Sequence, residues 1–252
     1  MKGVEPLGIF LHQGLIEKNH DHWNRKRLLR LVYQDLYCSI ADNLSGLPDP
    51  KIVELGSGLG NIQMVLPDCL RTDLFPYPWI DQIENAYKLS FEDESVSDLI
   101  LSDVFHHLKY PGTALRELHR VLRKGGRVIL LEPCISALGL LVYGVLHVES
   151  IAITKQIEWF APAGWSPENI DYYAAQGNAS RIFLGRKFRS QLSDWQTVKA
   201  IRLSAISYAA SGGYSKPQLY PTSALPLIKK LERILDPLPA LFATRLIVIL
   251  QK

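Results

Sequence analysis

Three glycines in five positions follow an acidic residue in the stretch VELGSGLG, residues 53–60. A strand of branched apolar residues that breaks into glycines brings its backbone close to another group, because glycine has no side chain to hold that group away. The acid, Glu54, would repel a phosphate but would attract a ligand that carries an ammonium group. The pattern therefore indicates a loop that binds a ligand through its backbone.

Two common phosphate-binding loops do not fit these residues. A P-loop needs a lysine and then Ser or Thr after its last glycine, and no lysine follows Gly60. The dinucleotide fingerprint GxGxxG, counted from Gly56, needs a glycine where Asn61 stands. The loop reads GxGxG, which suits a ligand without a pyrophosphate at the helix start.

The segments around this loop alternate between strand-like and helix-like patterns. Helices are expected within residues 15–45, where apolar residues recur at helical spacing, and at most a short helix can precede Pro67. This alternation predicts a doubly wound, Rossmann-like α/β sheet with parallel strands. The expected elements are strands over 51–55, in CLRTDLF up to Asp73, over 97–105 and over 127–133, and a helix over 113–123.

The alternation stops after the fourth of these strands. Residues 134–194 are rich in aromatic and polar side chains, and we expect a mostly helical cap there, inserted over the strand ends. The later elements expected are a strand over 198–208, a turn at 211–213, a helix over 222–235 and a C-terminal strand. The chain is therefore expected to form a single domain, 1–252, with N-terminal helices (1–50), a core (51–133), the cap (134–194) and sheet-completing elements (195–252).

The loop and the segments that follow it resemble the class I S-adenosylmethionine (SAM)-dependent methyltransferases, of the type 11 kind. Glu54 and GxGxG are similar to that family's motif I. Later segments are similar to further family motifs in the same order, namely LRTDLF, NAYKLSFEDESVSDLI, SDVFHHL and LRELHRVLRKGGRVILLEP. More loosely, HVES, GNASRIFLGR, SGGYSK and LIVILQK resemble a bacterial branch with a C-terminal cap.

The resemblance implies that SAM is the cofactor and that a methyl group is transferred. It implies that Asp73 accepts hydrogen bonds from the ribose hydroxyls and that Asn85 and Ala86 flank the adenine. The family commonly has Asp where Asn85 stands, and the crossover from Asn61 to Asp73 is short, so the cleft is expected to be more open. The cofactor-binding residues implied are Glu54, Gly56, Ser57, Gly58, Asn61, Asp73, Asn85, Ala86 and Asp103.

Three histidines are the candidate catalytic residues: His106, His107 and His147. A hydroxyl acceptor must lose a proton, and histidine is suited to receive it near neutral pH. The alternative for the His106–His107 pair is packing at a helix entry, and His147 and Glu149 would not share a helix face. No metal site is expected, because the pair has no carboxylate and histidine at a ligand spacing nearby.

Two groups of residues in the cap could contact the acceptor, although packing and solvation compete with that role. The aromatic group is Trp159, Phe160, Trp165, Tyr172 and Tyr173. The basic group is Arg181, Arg186, Lys187 and Arg189. The resemblance to the bacterial branch implies a small-molecule, sugar or lipid-type acceptor, methylated at oxygen.

Composition excludes several other classes of protein. A net charge of +3 does not provide the dense basic face that binding to nucleic acid requires. Three widely spaced cysteines fit a reducing compartment. Residues 134–148 are an apolar, uncharged stretch, but it has only about half the length that a membrane-spanning helix needs. We therefore expect a cytoplasmic protein without a membrane span, whose oligomeric state the sequence does not determine.

Two alternative functions remain open on the sequence. An NAD(P)-dependent oxidoreductase would share the sheet and the glycine loop, but Asn61 and the absence of a Tyr-x-x-x-Lys pair after the fourth strand disfavour it. A non-catalytic SAM-binding module would explain Asn85 and the short first crossover.

Overall fold

Seven strands form one sheet in the computed structural model, which describes residues 16, 18–145, 149–168 and 172–252. The strands are β1 (Ile52–Leu55), β2 (Leu70–Asp73), β3 (Gln82–Ile83), β4 (Val96–Ser102), β5 (Leu122–Pro133), β6 (Thr197–Leu203) and β7 (Arg245–Gln251). Their order across the sheet is β3-β2-β1-β4-β5-β7-β6. The chain order reverses between β1 and β4, so the carboxyl ends of these two strands border a crevice suited to a ligand.

Strands β1 to β5 are parallel, but β7 runs antiparallel to both of its neighbours. The doubly wound α/β fold predicted from the sequence is therefore confirmed, whereas the expectation of parallel strands is wrong for β7. Strand β7 inserts between β5 and β6 and pairs antiparallel with each of them.

Helices and apolar side chains cover both faces of the sheet. Residues 18–25 are helical, and the helices that follow are α1 (Arg27–Ala41), α2 (Pro111–Val121), α3 (Ala137–Val145), α4 (Asn178–Phe183), α5 (Ile206–Ala210), α6 (Leu225–Leu235) and α7 (Pro239–Phe242). Along β4, Leu99 and Leu101 join one hydrophobic cluster with α2 and α4, while Ile100 joins a second cluster with α1. This alternation follows the period of two along a strand, and it buries the sheet on both sides.

The first two crossovers are short. Between β1 and β2 the described chain forms only a 3-10 turn, Asn61–Met64, in agreement with the expected short helix. The two-residue strand β3 was not predicted from the sequence, because so short a strand carries no apolar pattern. The β3–β2 edge of the sheet therefore carries little helical cover, which supports the expectation of an open cleft.

The segment 134–194 is not mostly helical, which corrects the sequence expectation. Its described helical parts are α3, α4 and the 3-10 turn Arg189–Leu192. Prolines 162 and 167 and a left-handed Gly164 (φ +81°) interrupt any helix in 149–168. No helix in the described part of the chain has the length and apolar character that crossing a membrane requires.

This irregular segment is held by specific packing against α2. The N–H of Gly112 donates a hydrogen bond (2.8 Å) to the carbonyl of Trp159, and the N–H of Ala161 donates one (2.9 Å) to the Thr113 hydroxyl. A Cβ placed on Gly112 would overlap the indole ring of Trp159. Gly112 therefore leaves the space that the Trp159 ring occupies.

We expect Gly112→Ala to lower the free energy of unfolding by about 1–3 kcal/mol, because overpacking must displace the Trp159 ring. In a Trp159→Ala background the same change should be neutral or slightly stabilising, since Ala favours helix over Gly. Urea unfolding of the four proteins measures this coupling. An equal loss in both backgrounds would contradict the packing described.

Candidate functional site at the ends of β1, β2 and β4

The glycine loop after β1 has a backbone conformation that glycine adopts easily. Gly56, Gly58 and Gly60 have φ angles of +68°, +54° and +67°, in the left-handed region that is costly for other residues. A Cβ on Gly56 would also lie 2.5 Å from Cγ2 of Val104, which follows β4. The loop is thus packed tightly against the end of the neighbouring strand.

Asp73, at the end of β2, shapes the same loop. Its Oδ2 accepts a hydrogen bond from the N–H of Gly58 (2.9 Å), and its Oδ1 accepts one from the N–H of Phe75 (3.1 Å). The carbonyl of Gly58 accepts a further bond from the indole N–H of Trp79 (2.7 Å). A carboxylate has about four acceptor positions, so Asp73 can hold the loop and still accept bonds from two ligand hydroxyls.

Glu54 lies beneath the loop with one carboxylate oxygen unsatisfied. The residue is 2% exposed, and its Oε2 has no hydrogen-bond partner among the described residues. Burial raises the pKa of Glu54 to about 8, and the nearby charge of Asp73 raises it too. A cationic group of a ligand placed beside the loop would favour the ionised carboxylate.

Ser57 is a structural member of the loop. Its hydroxyl donates a hydrogen bond to the carbonyl of Glu54 (3.2 Å) and accepts one from the N–H of Thr72 (3.1 Å). The N–H of Ser57 donates to the carbonyl of Thr72 (2.9 Å). These bonds join the loop to β2, which keeps the ends of β1 and β2 together.

Asn61 contacts a group of tyrosines that the sequence did not reveal as part of the site. Its side-chain amide donates to the hydroxyl of Tyr214 (3.4 Å). The ring of Tyr214 lies 5.4 Å from that of Tyr33. Tyr33 in turn lies 5.5 Å from Tyr37 and 5.7 Å from Tyr208. We call these four tyrosines the tyrosine cluster; the four-residue spacing of Tyr33 and Tyr37 on one face of α1 was the available signal.

Asn85 and Ala86 lie in the turn after β3. The Asn85 amide donates to the carbonyl of Pro167 (2.8 Å), and its Oδ1 accepts from the N–H of Tyr87 (3.0 Å). Ala86 packs against the first hydrophobic cluster. An adenine contact by Asn85 would compete with these two bonds, and the assignment of both residues to adenine stays a prediction.

Asp103 forms an ion pair with an arginine that the sequence analysis missed. Both guanidinium amines of Arg245, at the start of β7, donate to the Asp103 carboxylate, at 2.6 and 2.9 Å. Arg245 is only 1% exposed, and its guanidinium lies 4.8 Å from the ring centre of Tyr208. Asp103 itself has a left-handed φ of +58°. Its charge is therefore already paired, and a direct cofactor contact by Asp103 remains a prediction.

His106 is buried between two carboxylates, those of Glu132 and Glu149. Its Nδ1 lies 2.7 Å from Oε2 of Glu132, at the end of β5, and its Nε2 lies 3.4 Å from Oε2 of Glu149. Glu132 is fully buried, and its other oxygen accepts the N–H groups of Val104 (3.0 Å) and Phe105 (2.7 Å). Although burial opposes it, the charge of Glu132 raises the pKa of His106 to about 10.

His107 and Glu149 complete this group. The Nδ1 of His107 lies 2.8 Å from the carbonyl of Tyr173, and its Nε2 lies 3.8 Å from Oε1 of Glu149. Burial and the neighbouring His106 lower the pKa of His107. Burial opposes but does not outweigh the hydrogen bond from His106, which lowers the pKa of Glu149 well below its usual range. We call His106, His107 and Glu149 the histidine–glutamate cluster.

Backbone hydrogen bonds from residues 173–177 bring the cluster together. The N–H of Ala175 donates to the carbonyl of His106 (3.0 Å), and the N–H of Gln176 donates to that of Ser150 (3.1 Å). The Gln176 side chain also donates to the Glu149 carboxylate (2.9 Å). One short segment therefore ties the end of β4 to a residue more than forty positions later in the sequence, and His147 lies outside the described residues.

Most of the aromatic residues of the cap pack against other rings or are buried. Trp159 stacks on Phe188 at 5.1 Å, Trp165 meets the ring of Tyr87 at 4.9 Å, and Tyr173 is 9% exposed. The remaining two are exposed; Phe160 lies 4.6 Å from the Arg116 guanidinium carbon, whereas Tyr172 donates its hydroxyl to Glu149 (3.1 Å). Among these aromatic residues, Tyr172 is thus the one whose hydroxyl reaches the histidine–glutamate cluster.

Two of the four basic residues have partners within the cap. Arg181 donates to the carbonyls of Ala152 (2.9 Å) and Lys155 (2.6 Å), so it holds the irregular segment. Lys187 lies 5.6 Å from the ring centre of Phe188. The prediction that this group meets an acidic part of the acceptor stays untested.

Comparison with known proteins identifies the class of this domain. Residues 53–130 match the family model described as a methyltransferase domain. A SAM-dependent methyltransferase from Thermotoga maritima, described as a possible histamine N-methyltransferase, is 15% identical, with a TM-score of 0.54 over 95% of this chain and 99% of that chain. A SAM-dependent methyltransferase from Archaeoglobus fulgidus is 12% identical, with a TM-score of 0.51 over 88% and 94%. No match was found among curated proteins.

Residues 53–130 therefore match a methyltransferase domain, and the chain has the fold of these SAM-dependent methyltransferases, in agreement with the resemblance seen in the sequence. These likenesses imply S-adenosyl-L-methionine as the cofactor. The residues of the loop fit this cofactor, because Glu54 offers an unsatisfied carboxylate oxygen for the methionine ammonium group and Asp73 has acceptor positions left for the ribose hydroxyls. The bacterial branch and the acceptor role of the cap remain predictions.

We expect Asp103→Asn to lower the free energy of unfolding by about 3 kcal/mol, because it leaves the buried Arg245 charge without its partner. Urea unfolding measures the loss. The control is Asp21→Asn, whose pair with Arg25 joins side chains that are 66% and 79% exposed and should contribute little. Similar losses in both variants would show that the Asp103–Arg245 pair is not the stabilising contact.

Proposed function

We propose that this protein transfers the methyl group of SAM to a hydroxyl oxygen of a small-molecule acceptor of the sugar or lipid type. The bound sulfonium supplies an activated methyl group: the acceptor oxygen forms the new C–O bond, the C–S electron pair returns to sulfur, and the hydroxyl proton is released. The protein's contribution is to align the acceptor with the methyl group and to exclude water.

The observation that carries this proposal is the buried carboxylate of Glu54, whose Oε2 has no hydrogen-bond partner among the described residues. Glu54 lies just before the glycine loop, within the residues that match a methyltransferase domain. A buried carboxylate oxygen without a partner is costly, and the methionine ammonium of SAM would provide one. Asp73, which accepts the N–H of Gly58, is proposed to accept the ribose hydroxyls with its remaining lone pairs. Gly56, Ser57 and the other loop residues would hold the cofactor mainly through the backbone.

The histidine–glutamate cluster is proposed to lie on the acceptor side. It stands directly after the β4 end, next to Val104, which packs against the glycine loop. His107 is 34% exposed and Glu149 is 25% exposed at the side chain, so a ligand can reach both. His106, His107 and His147 remain the predicted catalytic residues, and Tyr172 joins them as an exposed neighbour.

We further propose that residues 134–194 form the acceptor region of a single domain, and that the protein acts in the cytoplasm. The latter is supported by free Cys38, Cys69 and Cys134, of which the last two are buried. Thiols left unpaired are typical of a reducing compartment.

Calorimetric titration tests cofactor binding. SAM or S-adenosylhomocysteine should bind and NAD should give no heat, and Asp73→Asn should weaken SAM binding by about 1–3 kcal/mol because a charge-assisted acceptor is lost. Asp68→Asn, at an exposed position before β2, is the matched control and should bind normally. Heat with NAD but not with SAM would refute the proposal.

Turnover is tested by the formation of S-adenosylhomocysteine with a panel of hydroxylated sugars, lipids and small metabolites. A product methylated at oxygen supports the proposal. A product methylated at nitrogen or carbon would refute the choice of oxygen, and SAM binding without any turnover would favour a non-catalytic module.

We expect SAM binding to release up to about one proton near pH 7. Glu54, whose pKa is about 8, is mainly protonated there in the free protein, and the ammonium of SAM favours its ionised form. SAM affinity should therefore rise with pH until the pH passes the pKa of free Glu54.

Calorimetry in two buffers of different ionisation enthalpy measures the released proton. Glu54→Gln should abolish the contribution of this residue, and the α-amino group of SAM contributes little because, with a pKa of about 7.7–8.0, it is already mostly protonated near pH 7. The same proton release in both proteins would rule out Glu54 as the ammonium partner.

A further inference from the structure

We propose that the histidine–glutamate cluster binds one divalent transition-metal ion of the zinc class, through the Nε2 atoms of His106 and His107 and the carboxylate of Glu149. These three residues each offer a ligand atom, and all of these atoms lie within 4.8 Å of one another. Two imidazoles and one carboxylate are a ligand set that zinc accepts at catalytic sites. The sequence analysis expected no metal site because Glu149 is far from the histidine pair along the chain.

The hydrogen bonds of the outer nitrogens favour coordination through Nε2. The Nδ1 of His107 faces the Tyr173 carbonyl, which can only accept, so Nδ1 carries the hydrogen. The Nδ1 of His106 faces the carboxylate of Glu132 in the same way. Metal-bound histidines typically donate their second nitrogen to a carbonyl or carboxylate, which orients the ring and fixes the tautomer. Both histidines therefore present Nε2 to Glu149, and a metal ion would displace the proton that the charged His106 carries on this nitrogen, as metal binding generally releases ligand protons.

The carboxylate of Glu149 is oriented by two donors. The Gln176 amide donates to Oε2 (2.9 Å), and the Tyr172 hydroxyl donates to Oε1 (3.1 Å). Each oxygen faces one of the two histidines. Such supporting bonds around a ligand are part of a built metal site, and here every ligand has at least one.

The distances are close to those of a tetrahedral site. Metal–ligand bonds of about 2.0–2.1 Å place neighbouring ligand atoms roughly 3.3–3.4 Å apart in a tetrahedron. The Nε2 of His106 lies 3.4 Å from Oε2 of Glu149, and the Nε2 of His107 lies 3.8 Å from Oε1. Since the three ligand atoms lie within 4.8 Å of one another, side-chain adjustment that brings one Glu149 oxygen against both nitrogens completes the site.

Three protein ligands are found among the described residues, and in catalytic zinc sites three such ligands are combined with a fourth position for water or substrate. His107 and Tyr172 are on the accessible side of the cluster, with Tyr172 78% exposed. This step rests on the proposed function: the acceptor hydroxyl would bind the metal at the fourth position. A bound cation lowers the pKa of that hydroxyl, so its proton is lost more easily to water. The acceptor is then an alcohol whose hydroxyl oxygen is sterically accessible to a metal ion.

The test uses the full chain, freed of metal with a chelator and titrated with Co²⁺, followed by competition with Zn²⁺. We expect one equivalent of Co²⁺, with the visible absorption of a low-coordinate site and displacement by Zn²⁺. His107→Ala and Glu149→Gln should each weaken Co²⁺ binding by at least about 100-fold, since even supporting partners are worth about 10–100-fold. Zn²⁺ should also raise the Tm of the unsubstituted protein but not of the variants.

His119→Ala is the matched control, because this histidine on α2 hydrogen-bonds the Asp194 carbonyl (3.2 Å) and is not part of the cluster. Absence of saturable binding, or unchanged affinity in both His107→Ala and Glu149→Gln with folding verified by circular dichroism, would overturn the metal site. SAM binding to the chelated protein is measured in parallel. If SAM binds and the chelated protein methylates its acceptor at full rate, the acceptor role of the metal fails while the methyltransferase proposal stands.

Discussion

Both halves of the candidate site depend on the buried carboxylate of Glu132. It accepts the N–H groups of Val104 and Phe105 and faces the ring of His106, at the turn that leaves β4. A fully buried carboxylate is tolerated only with such partners, so this turn has one favourable path. That path packs Val104 against the glycine loop and directs His106 toward Glu149, which couples the glycine loop to the histidine–glutamate cluster.

The C-terminal part of the chain supplies a second constraint. Arg245 at the start of β7 pairs with Asp103 and lies against Tyr208 of the tyrosine cluster. The antiparallel position of β7, next to β5, brings this arginine to the end of β4. Strand β7 therefore completes the sheet and also neutralises Asp103 beside the glycine loop. Through Tyr214, the tyrosine cluster also contacts Asn61, directly after that loop.

Much of the cofactor half could be predicted, because its residues lie within a few elements of one another along the chain. The GxGxG turn and Asp73 follow directly from strands whose carboxyl ends must meet at one edge of a parallel sheet. The cap was interpreted wrongly as mostly helical, since aromatic residues such as Trp159 pack equally well on irregular backbone. Residues 149–168 gain their order from bonds to α2 and not from local helical propensity.

The sequence by itself determined the fold class, the strand that carries the glycine loop, the acids Glu54 and Asp73, and the presence of the His106–His107 pair. These depend on short-range patterns, which are set by backbone sterics and hydrophobic period. Only the tertiary structure decided that Glu149 meets the two histidines and that Arg245 takes the charge of Asp103. Such pairings join segments far apart in sequence, and they arise because buried charges must find partners wherever packing brings the chain.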